Sequence, residues 1–171
     1  MLRRLHVRLL TALLGLGLFA GCAGYQLGTG TVLAFQTLHV APVTMRALIP
    51  QAQPILTGAL REAFAGDGRV TLAPTPDADA TLSITVRDYR RDVATVRPGD
   101  TGLARKFVVT LTAEATLVNN ATGREFFHQR VIEVKRDVFT DSGQQQAEYQ
   151  ILPLLAQDLA DKARHAVLDT W

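Results

Sequence analysis

The chain has very little cysteine, no large excess of charge of either sign, and no long apolar run outside its N-terminus. Its 171 residues contain one cysteine, Cys22, so a disulfide cannot form within the chain. A membrane-spanning helix needs about 20 consecutive apolar residues, and no segment after the N-terminus approaches that length. These absences exclude a disulfide-stabilised fold and a protein that crosses the membrane with several helices.

The first 21 residues have the pattern of a secretory signal peptide. Arg3, Arg4 and Arg8 form a positively charged start, and residues 9–20 follow as a largely apolar stretch. This stretch is too short to cross a hydrocarbon core of about 30 Å as a helix. We therefore predict that residues 1–21 are a lipoprotein signal peptide.

The lone cysteine follows this leader directly. Ala20 and Gly21 are small enough for a peptidase groove, and the thiol of Cys22 can take a diacylglycerol, as in a lipobox. The alternative is an ordinary free thiol, which is a liability in an oxidising compartment. We predict that Cys22 is the lipidation site and that the mature protein is lipid-anchored. Ala23 stands where an aspartate would indicate retention at the inner membrane, which favours the periplasmic side of the outer membrane.

Removal of the leader changes the balance of charge. Its three arginines leave without any acidic residue, so 15 Lys+Arg and 16 Asp+Glu remain in 150 residues. A nucleic-acid-binding domain needs a net basic surface, which this composition does not supply. A length of 150 residues is typical of a single domain.

Period-two and helical patterns divide the mature chain. Residues 22–36 are glycine-rich in their first part and predict a tether to the lipid. Strands are predicted at residues 37–43, 80–96, 105–118 and 125–138, and residues 70–72 could form a further short strand. A first helix is predicted from Pro54 to the glycines at 66 and 68, and a last helix after the capping residues Thr140, Asp141 and Ser142. Pro153 is expected to delay this last helix or to kink it.

The order β-α-β-β-β-α predicts an α+β fold for residues 37–171. Two adjacent hairpins make an antiparallel meander of long strands, and the two helices carry apolar stripes that need a sheet to cover. We therefore expect a two-layer sandwich, with two helices on one face of a mainly antiparallel four-stranded sheet.

Residues for catalysis or metal binding do not cluster in this sequence. His39, His128 and His165 lie on separate predicted elements without the spacing of metal ligands. Asp77 and Asp79 lie in a proline-rich loop, where they are expected to form turns. No nucleophile or phosphate-loop motif has the context that it needs. We therefore expect no enzymatic activity, no catalytic residues, no cofactor and no metal.

Basic residues gather toward the ends of the long strands. They are Arg87, Arg90, Arg91, Arg97, Arg105, Lys106, Lys135 and Arg136. One interpretation is surface charge that keeps the edges of the sheet from aggregating. The other is a patch for an anionic head group, since a guanidinium matches the geometry of phosphate. Asp88, Asp92 and Asp100 lie nearby and partly neutralise such a patch.

Several short motifs resemble one family, in order and at matching spacing. Residues 22–27 (Cys-Ala-Gly-Tyr-Gln-Leu) are similar to the Cys-Gly-Tyr-His-Leu start of the lipopolysaccharide-assembly lipoproteins of the LptE type. Residues 91–96 resemble the end of the family's second strand, and residues 107–117 its next strand. Residues 134–141 resemble its Arg-Phe-x-Asp passage, and residues 157–160 its final helix.

This resemblance implies a non-catalytic outer-membrane lipoprotein. Such a protein plugs and assists a large β-barrel of the LptD type, which delivers lipopolysaccharide to the cell surface. The implied partners are the barrel, lipopolysaccharide and, through the lipid anchor, the membrane. Arg97 lies in a turn where the family can carry a basic residue for lipopolysaccharide contact. Arg97, Arg91 and Arg136 are therefore the candidate lipopolysaccharide-binding residues.

Two other classes of protein stay open at this point. One is a periplasmic auxiliary or binding lipoprotein of another envelope transport or secretion system, with a similar small α+β domain. An inner-membrane transporter as partner would favour it. The other is an envelope hydrolase, against which the missing catalytic cluster argues.

Replacement of Cys22 by alanine tests the anchor. Without the thiol no diacylglycerol can be attached, so we expect an unlipidated precursor that is released to soluble fractions or retained by its signal. Partitioning into a detergent phase measures the difference. An alanine variant that partitions like the wild type would contradict lipidation at Cys22.

Overall fold

A computed structural model describes residues 33–75, 77–96, 104–139 and 144–169 of the chain. Cys22, most of the predicted tether, Arg97 and the predicted caps Thr140, Asp141 and Ser142 lie outside these ranges. The elements are β1 (Thr37–Val40), β2 (Thr44–Met45), α1 (Ala52–Ala65), β3 (Thr71–Leu72), β4 (Ala80–Val96), β5 (Ala104–Asn119), β6 (Glu125–Phe139) and α2 (Gln144–Leu168). The predicted α+β class is confirmed, and the ends of the long strands differ from prediction by at most one residue.

The sheet is mixed and has six strands, so the predicted four-stranded, mainly antiparallel sheet was wrong in detail. Its order is β3-β1-β4-β5-β6, with β2 also paired to β4. Strand β1 runs parallel to β3 and β4, and β2 runs parallel to β4, whereas β4, β5 and β6 are antiparallel. The possible short strand at residues 70–72 is present as β3, whereas β2 was missed because a strand of two residues is too short to show a period.

Pro42 explains why the predicted strand 37–43 is divided. The backbone N–H of Ala41 still donates to Leu82 O at 3.0 Å, but proline has no N–H to continue the ladder. The next N–H, of Val43, donates instead to Thr57 Oγ1 at 3.1 Å, on α1. The chain then rejoins the edge of β4 as β2.

A bulge in β4 exchanges the two faces of that strand. Val86 pairs with Ala113 and Asp88 pairs with Thr112, so Arg87 is an extra residue opposite a regular β5. Side chains alternate along a strand, so the even-numbered residues of β4 face the helices before the bulge, and the odd-numbered residues from Tyr89 to Val93 face them after it. Tyr89 therefore lies on the same face as the buried Leu82.

A second bulge lies in β6 at Gln129, whose φ of 45° is in the left-handed region. The register shifts between the pairs Ala115–Arg130 and Leu117–Phe127, and the N–H of Gln129 donates to Thr116 Oγ1 at 3.1 Å. Arg130 is thereby directed to the helix-facing side. There its guanidinium lies 4.3 Å from the centroid of the Phe127 ring.

One face of the sheet carries the core. The odd-numbered residues of β5 from Val109 to Leu117 are at most 1% exposed, which confirms the predicted alternation of this strand. Helix α1 lies against β1 and β3, helix α2 lies against β5 and β6, and the helices pack against each other. Their buried residues include Leu56, Leu60 and Phe64 of α1 and Leu155, Leu159, Ala163 and Val167 of α2.

The helix boundaries follow from glycine and proline. Pro54 lies in the first turn of α1, where an N–H has no partner within the helix, and Gly66 caps its end by donating to Glu62 O. Pro153 lies inside α2, which begins nine residues before it, so the expected delay of this helix was wrong. Helix α2 contains 25 residues. No helix in the described part of the chain is both long and apolar enough to cross a membrane.

Asp79 joins two segments that are far apart in sequence, the start of β1 and the start of β4. Asp79 lies in the predicted turn, and its Oδ2 accepts the N–H groups of Gln36 and Thr37, each at 2.9 Å. These backbone hydrogen bonds, with that to Thr37 first, lower the pKa of Asp79. The tie fixes the start of β1 beside the start of β4.

Asp67 joins the end of α1 to α2. Its carboxylate contacts Arg69 Nε at 2.5 Å and Arg164 Nη1 at 2.7 Å, and its side chain is 6% exposed. The hydrogen bond from Arg69 and, less strongly, that from Arg164 lower the pKa of Asp67 from 3.8 to about 2, against the opposing effect of burial. The carboxylate therefore stabilises the contact between the two helices.

Replacement of Asp67 by asparagine should lower the free energy of unfolding at pH 7 by about 2 kcal/mol, the amount that corresponds to its pKa shift. Because the folded pKa lies below the unfolded one, this stabilisation is present above about pH 4 and is lost as the pH falls toward about 2. The wild type should therefore lose more stability than the variant over that range. Denaturant unfolding at several pH values measures this.

Asp77→Asn is the matched control. Asp77 is exposed and bonds only to the nearby Thr75, at 3.3 Å, so its replacement should change stability by less than about 0.5 kcal/mol. Equal stability of Asp67→Asn and the wild type at pH 7 would contradict the role of Asp67.

Candidate functional site

Two of the three candidate lipopolysaccharide-binding residues lie in one row across the sheet. Arg91 of β4 pairs with Val109 of β5, and Val109 pairs in turn with Arg136 of β6. Because the bulge at Arg87 exchanges the faces of β4, Arg91 and Arg136 both project to the helix-facing side. Two strand spacings of about 4.8 Å separate their backbones by roughly 10 Å. We call Arg91, Val109 and Arg136 the arginine row; Arg97 lies outside the described residues.

Arg136 is held by a carboxylate of α2. Its Nε and Nη2 donate to the two oxygens of Asp158 at 2.5 and 2.6 Å, a bidentate pair. This hydrogen-bonded pairing raises the pKa of Arg136. The guanidinium thus fastens β6 to α2, and an anionic head group at this position would compete with Asp158.

Arg91 lies in a different setting, beside an apolar pocket of about 260 Å³. The pocket is formed by the loop after β2, by β4 and by the beginning of α2. Its lining residues are Leu48, Ile49, Pro50, Tyr89, Arg91, Tyr149 and Leu152. Apolar walls with one guanidinium and two phenols suit an amphiphile with an anionic group.

Large apolar side chains remain exposed around this pocket. Leu48 is fully exposed and Tyr149 is 65% exposed. Grouped exposure of this kind marks a binding surface more often than isolated apolar residues do. Sequence reasoning missed the loop at Leu48, although the apolar run Ala47-Leu48-Ile49 before Pro50 was a signal that could have identified it.

Four further basic residues of the long strands form ion pairs on the opposite face or at its edge. These pairs are Arg87 with Glu114 at 2.6 Å, Arg90 with Asp92 at 2.9 Å, Lys106 with Asp137 at 2.8 Å and Lys135 with Glu133 at 2.8 Å. Such partly exposed pairs contribute little to stability. These pairs agree with the surface-charge interpretation for the residues that form them.

The histidines lie apart and have separate partners. His39 Nδ1 is 3.2 Å from Ala73 O, His128 pairs with Glu125, and His165 pairs with Asp169. Within the described ranges, no group of three or more His, Cys, Asp or Glu residues is arranged to hold a metal ion.

The α+β fold of this chain also occurs in several small bacterial proteins of known structure. A minor lipoprotein from Acinetobacter baumannii superposes with a TM-score of 0.55 at 18% identity, over 80% of this chain and 96% of that one. Protein XCC0632 from Xanthomonas campestris gives 0.56 at 18% identity, over 75% and 81%. Lipoprotein B from Nitrosomonas europaea gives 0.52 at 17% identity, over 85% and 88%. At these identities the likeness shows the fold alone.

The sequence assigns the chain to a particular family. The sequence model of the lipopolysaccharide-assembly (LptE) family matches residues 35–164, so the chain belongs to that family. The protein is therefore a lipopolysaccharide-assembly lipoprotein, and its family is a non-enzymatic accessory family of the outer membrane. No curated protein matches the chain in sequence.

A double-mutant cycle tests whether Arg136 and Asp158 act as a unit. Arg136→Ala and Asp158→Ala should each lower the melting temperature, and the double variant should lose less than the sum, because either single change already breaks the pair. Thermal unfolding followed by circular dichroism measures all four forms. Arg90→Ala is the control, since its exposed pair with Asp92 should contribute little. Fully additive effects would contradict the coupling.

Proposed function

We propose that this lipoprotein plugs a large outer-membrane β-barrel of the LptD type and assists it in delivering lipopolysaccharide to the cell surface. A diacylglycerol on Cys22 would hold it at the inner leaflet of the outer membrane. The observation that carries this proposal is the family match over residues 35–164 together with the arginine row beside an exposed apolar pocket. No bond is made or broken in this role, so the chain needs only binding surfaces.

The polar face of the sheet supports the position inside a barrel. After the bulge, the side chains on the face opposite the helices are mostly charged residues and threonines: Asp88, Arg90 and Asp92 of β4, Thr110, Thr112 and Glu114 of β5, and Glu133, Lys135 and Asp137 of β6. The lumen of a large outer-membrane barrel is polar and filled with water. A face of alternating charges suits that environment without requiring an apolar contact.

The helix-facing side supports a contact with lipopolysaccharide. Arg91 offers a rigid fork for a phosphate group, and the pocket of Leu48, Tyr89 and Tyr149 offers apolar walls for part of an acyl chain. Arg97, six residues further along the chain, remains a candidate for the same contact. Arg136 would contribute by fixing the row, because Asp158 already occupies its guanidinium.

Co-purification tests the barrel partner. After extraction of the envelope with a mild detergent, the full-length lipoprotein should migrate with a large β-barrel at a fixed ratio. A free monomer that forms no crosslink to a barrel in intact membranes would contradict the proposal. An inner-membrane transporter as the crosslinked partner would favour an auxiliary lipoprotein of another envelope transport system.

Charge reversal at Arg91 tests the lipopolysaccharide contact. Arg91→Glu should weaken binding of purified lipopolysaccharide by about tenfold, since a charge-assisted hydrogen bond contributes about 1.5 kcal/mol or more. Arg90→Glu is the matched control, because it makes the same charge change one residue earlier but on the opposite face. Arg97→Glu extends the test to the third candidate. Equal loss in the Arg90 and Arg91 variants would indicate non-specific attraction, and no loss in the Arg91 and Arg97 variants would remove both from the site.

A further inference from the structure

The outer edge of β6 carries backbone groups that point away from the sheet. At the β5–β6 turn, the N–H of Asn119 donates to Arg124 O at 2.8 Å, so the odd-numbered residues of β5 direct their backbone groups toward β6. Their partners after the bulge are the even-numbered residues of β6. The N–H and C=O groups of Lys135, Asp137 and Phe139 therefore point outward, because ladder groups alternate in direction.

The first part of this edge is protected, and the part beyond it is open. Lys162 of α2 reaches over the edge, and its Nζ donates to Glu133 O at 2.7 Å. A lysine at a sheet edge is a usual device against unwanted pairing. Among the described residues, no other strand lies beyond β6. Phe139, at the end of this open part, is 60% exposed.

A groove of about 720 Å³ runs beside the open edge. One wall is formed by Lys135, Arg136 and Asp137 of β6, and the other by Asp158, Asp161 and Lys162 of α2. An edge strand facing a helix across a groove is the arrangement that accepts an extended peptide as an additional strand. We call it the β6–α2 groove.

We propose that the β6–α2 groove binds an extended segment of a protein partner, which adds to β6 as a seventh strand and places a lysine or arginine side chain at Asp161. The outward groups of Lys135 and Asp137 supply the main-chain hydrogen bonds for the added strand. A partner segment satisfies these groups by the same pairing that joins β5 to β6.

Of the three carboxylates that line the groove, that of Asp161 has the loosest ion pair. Asp158 is neutralised by both nitrogens of Arg136, and Lys162 is held at the carbonyl of Glu133. Asp161 has only a loose pair with Arg164, at 3.8 Å, and its side chain is 64% exposed. Its carboxylate is thus available to a cation on a strand that lies in the groove.

A photoreactive residue at position 135 maps the occupant. Benzoylphenylalanine is incorporated in place of Lys135 in the full-length lipoprotein in its own envelope, and the crosslinked peptide is sequenced by mass spectrometry. We expect one segment of a protein partner that contains a lysine or arginine. An adduct with a second copy of this chain, or no adduct, would overturn the proposal.

Substitutions at Asp137 separate main-chain pairing from side-chain contact. Asp137→Pro removes an outward N–H without removing a hydrogen bond to β5, and should lower the crosslink yield at least tenfold. Asp137→Ala keeps the N–H and should stay within about twofold of the parent protein. Asp161→Lys, on the exposed face of α2, should also lower the crosslink yield. If the proline variant fails to fold, the yield of the Asp161→Lys variant is the test of the proposal. Equal yields in all three variants would overturn strand addition.

The outcome is separable from that of the proposed barrel partnership. If the barrel co-purifies but residue 135 forms no adduct, only the strand-addition inference fails. If residue 135 forms a crosslink to an extended segment of a protein that is not a barrel, strand addition at the β6–α2 groove is supported. The same result contradicts the barrel partnership.

Discussion

The register of β4 and β6 on the regular strand β5 is the constraint on which the functional surfaces depend. Strand β5 alternates regularly from Phe107 to Leu117, so a single extra residue at Arg87 reverses the faces of the residues from Asp88 to Val93 in β4. Without this bulge, Arg90 would lie on the helix-facing side and Arg91 on the polar face. The bulge thus decides which arginine lies beside the apolar pocket and which joins the ion pairs of the opposite face.

The same register explains what the sequence pattern predicted well. The alternation from Val109 to Leu117 identified β5 and its buried face, and the turns around residues 97–102 and 119–123 bounded the neighbouring long strands. Parallel pairing of β1 was beyond local pattern, because the partner strand lies some 40 residues away in sequence and the helix α1 stands between them. Pro42 signalled an interruption, but not that the chain would rejoin the edge of β4.

The sequence named the candidate residues but not the surroundings in which the structure places them. Arg91 and Arg136 stood out as basic residues in family-like motifs, and the structure brings them into one row. Their different environments depend on long-range contacts: Asp158 comes from the opposite layer, and the pocket at Arg91 needs the loop at Leu48 and the beginning of α2. No local pattern contains those contacts. In the proposed function, the charged face would lie in a polar lumen and the partly apolar face would contact an amphiphile.

Photo-crosslinking from adjacent positions of β4 tests this division most directly. Benzoylphenylalanine would be placed singly at positions 90 and 91 of the full-length protein in intact envelopes, and the adducts identified by mass. The account predicts a lipopolysaccharide adduct from position 91 and a barrel-protein adduct from position 90. The same adduct from both positions, or the reverse assignment, would contradict the exchange of faces at Arg87 and the separate roles of the two surfaces.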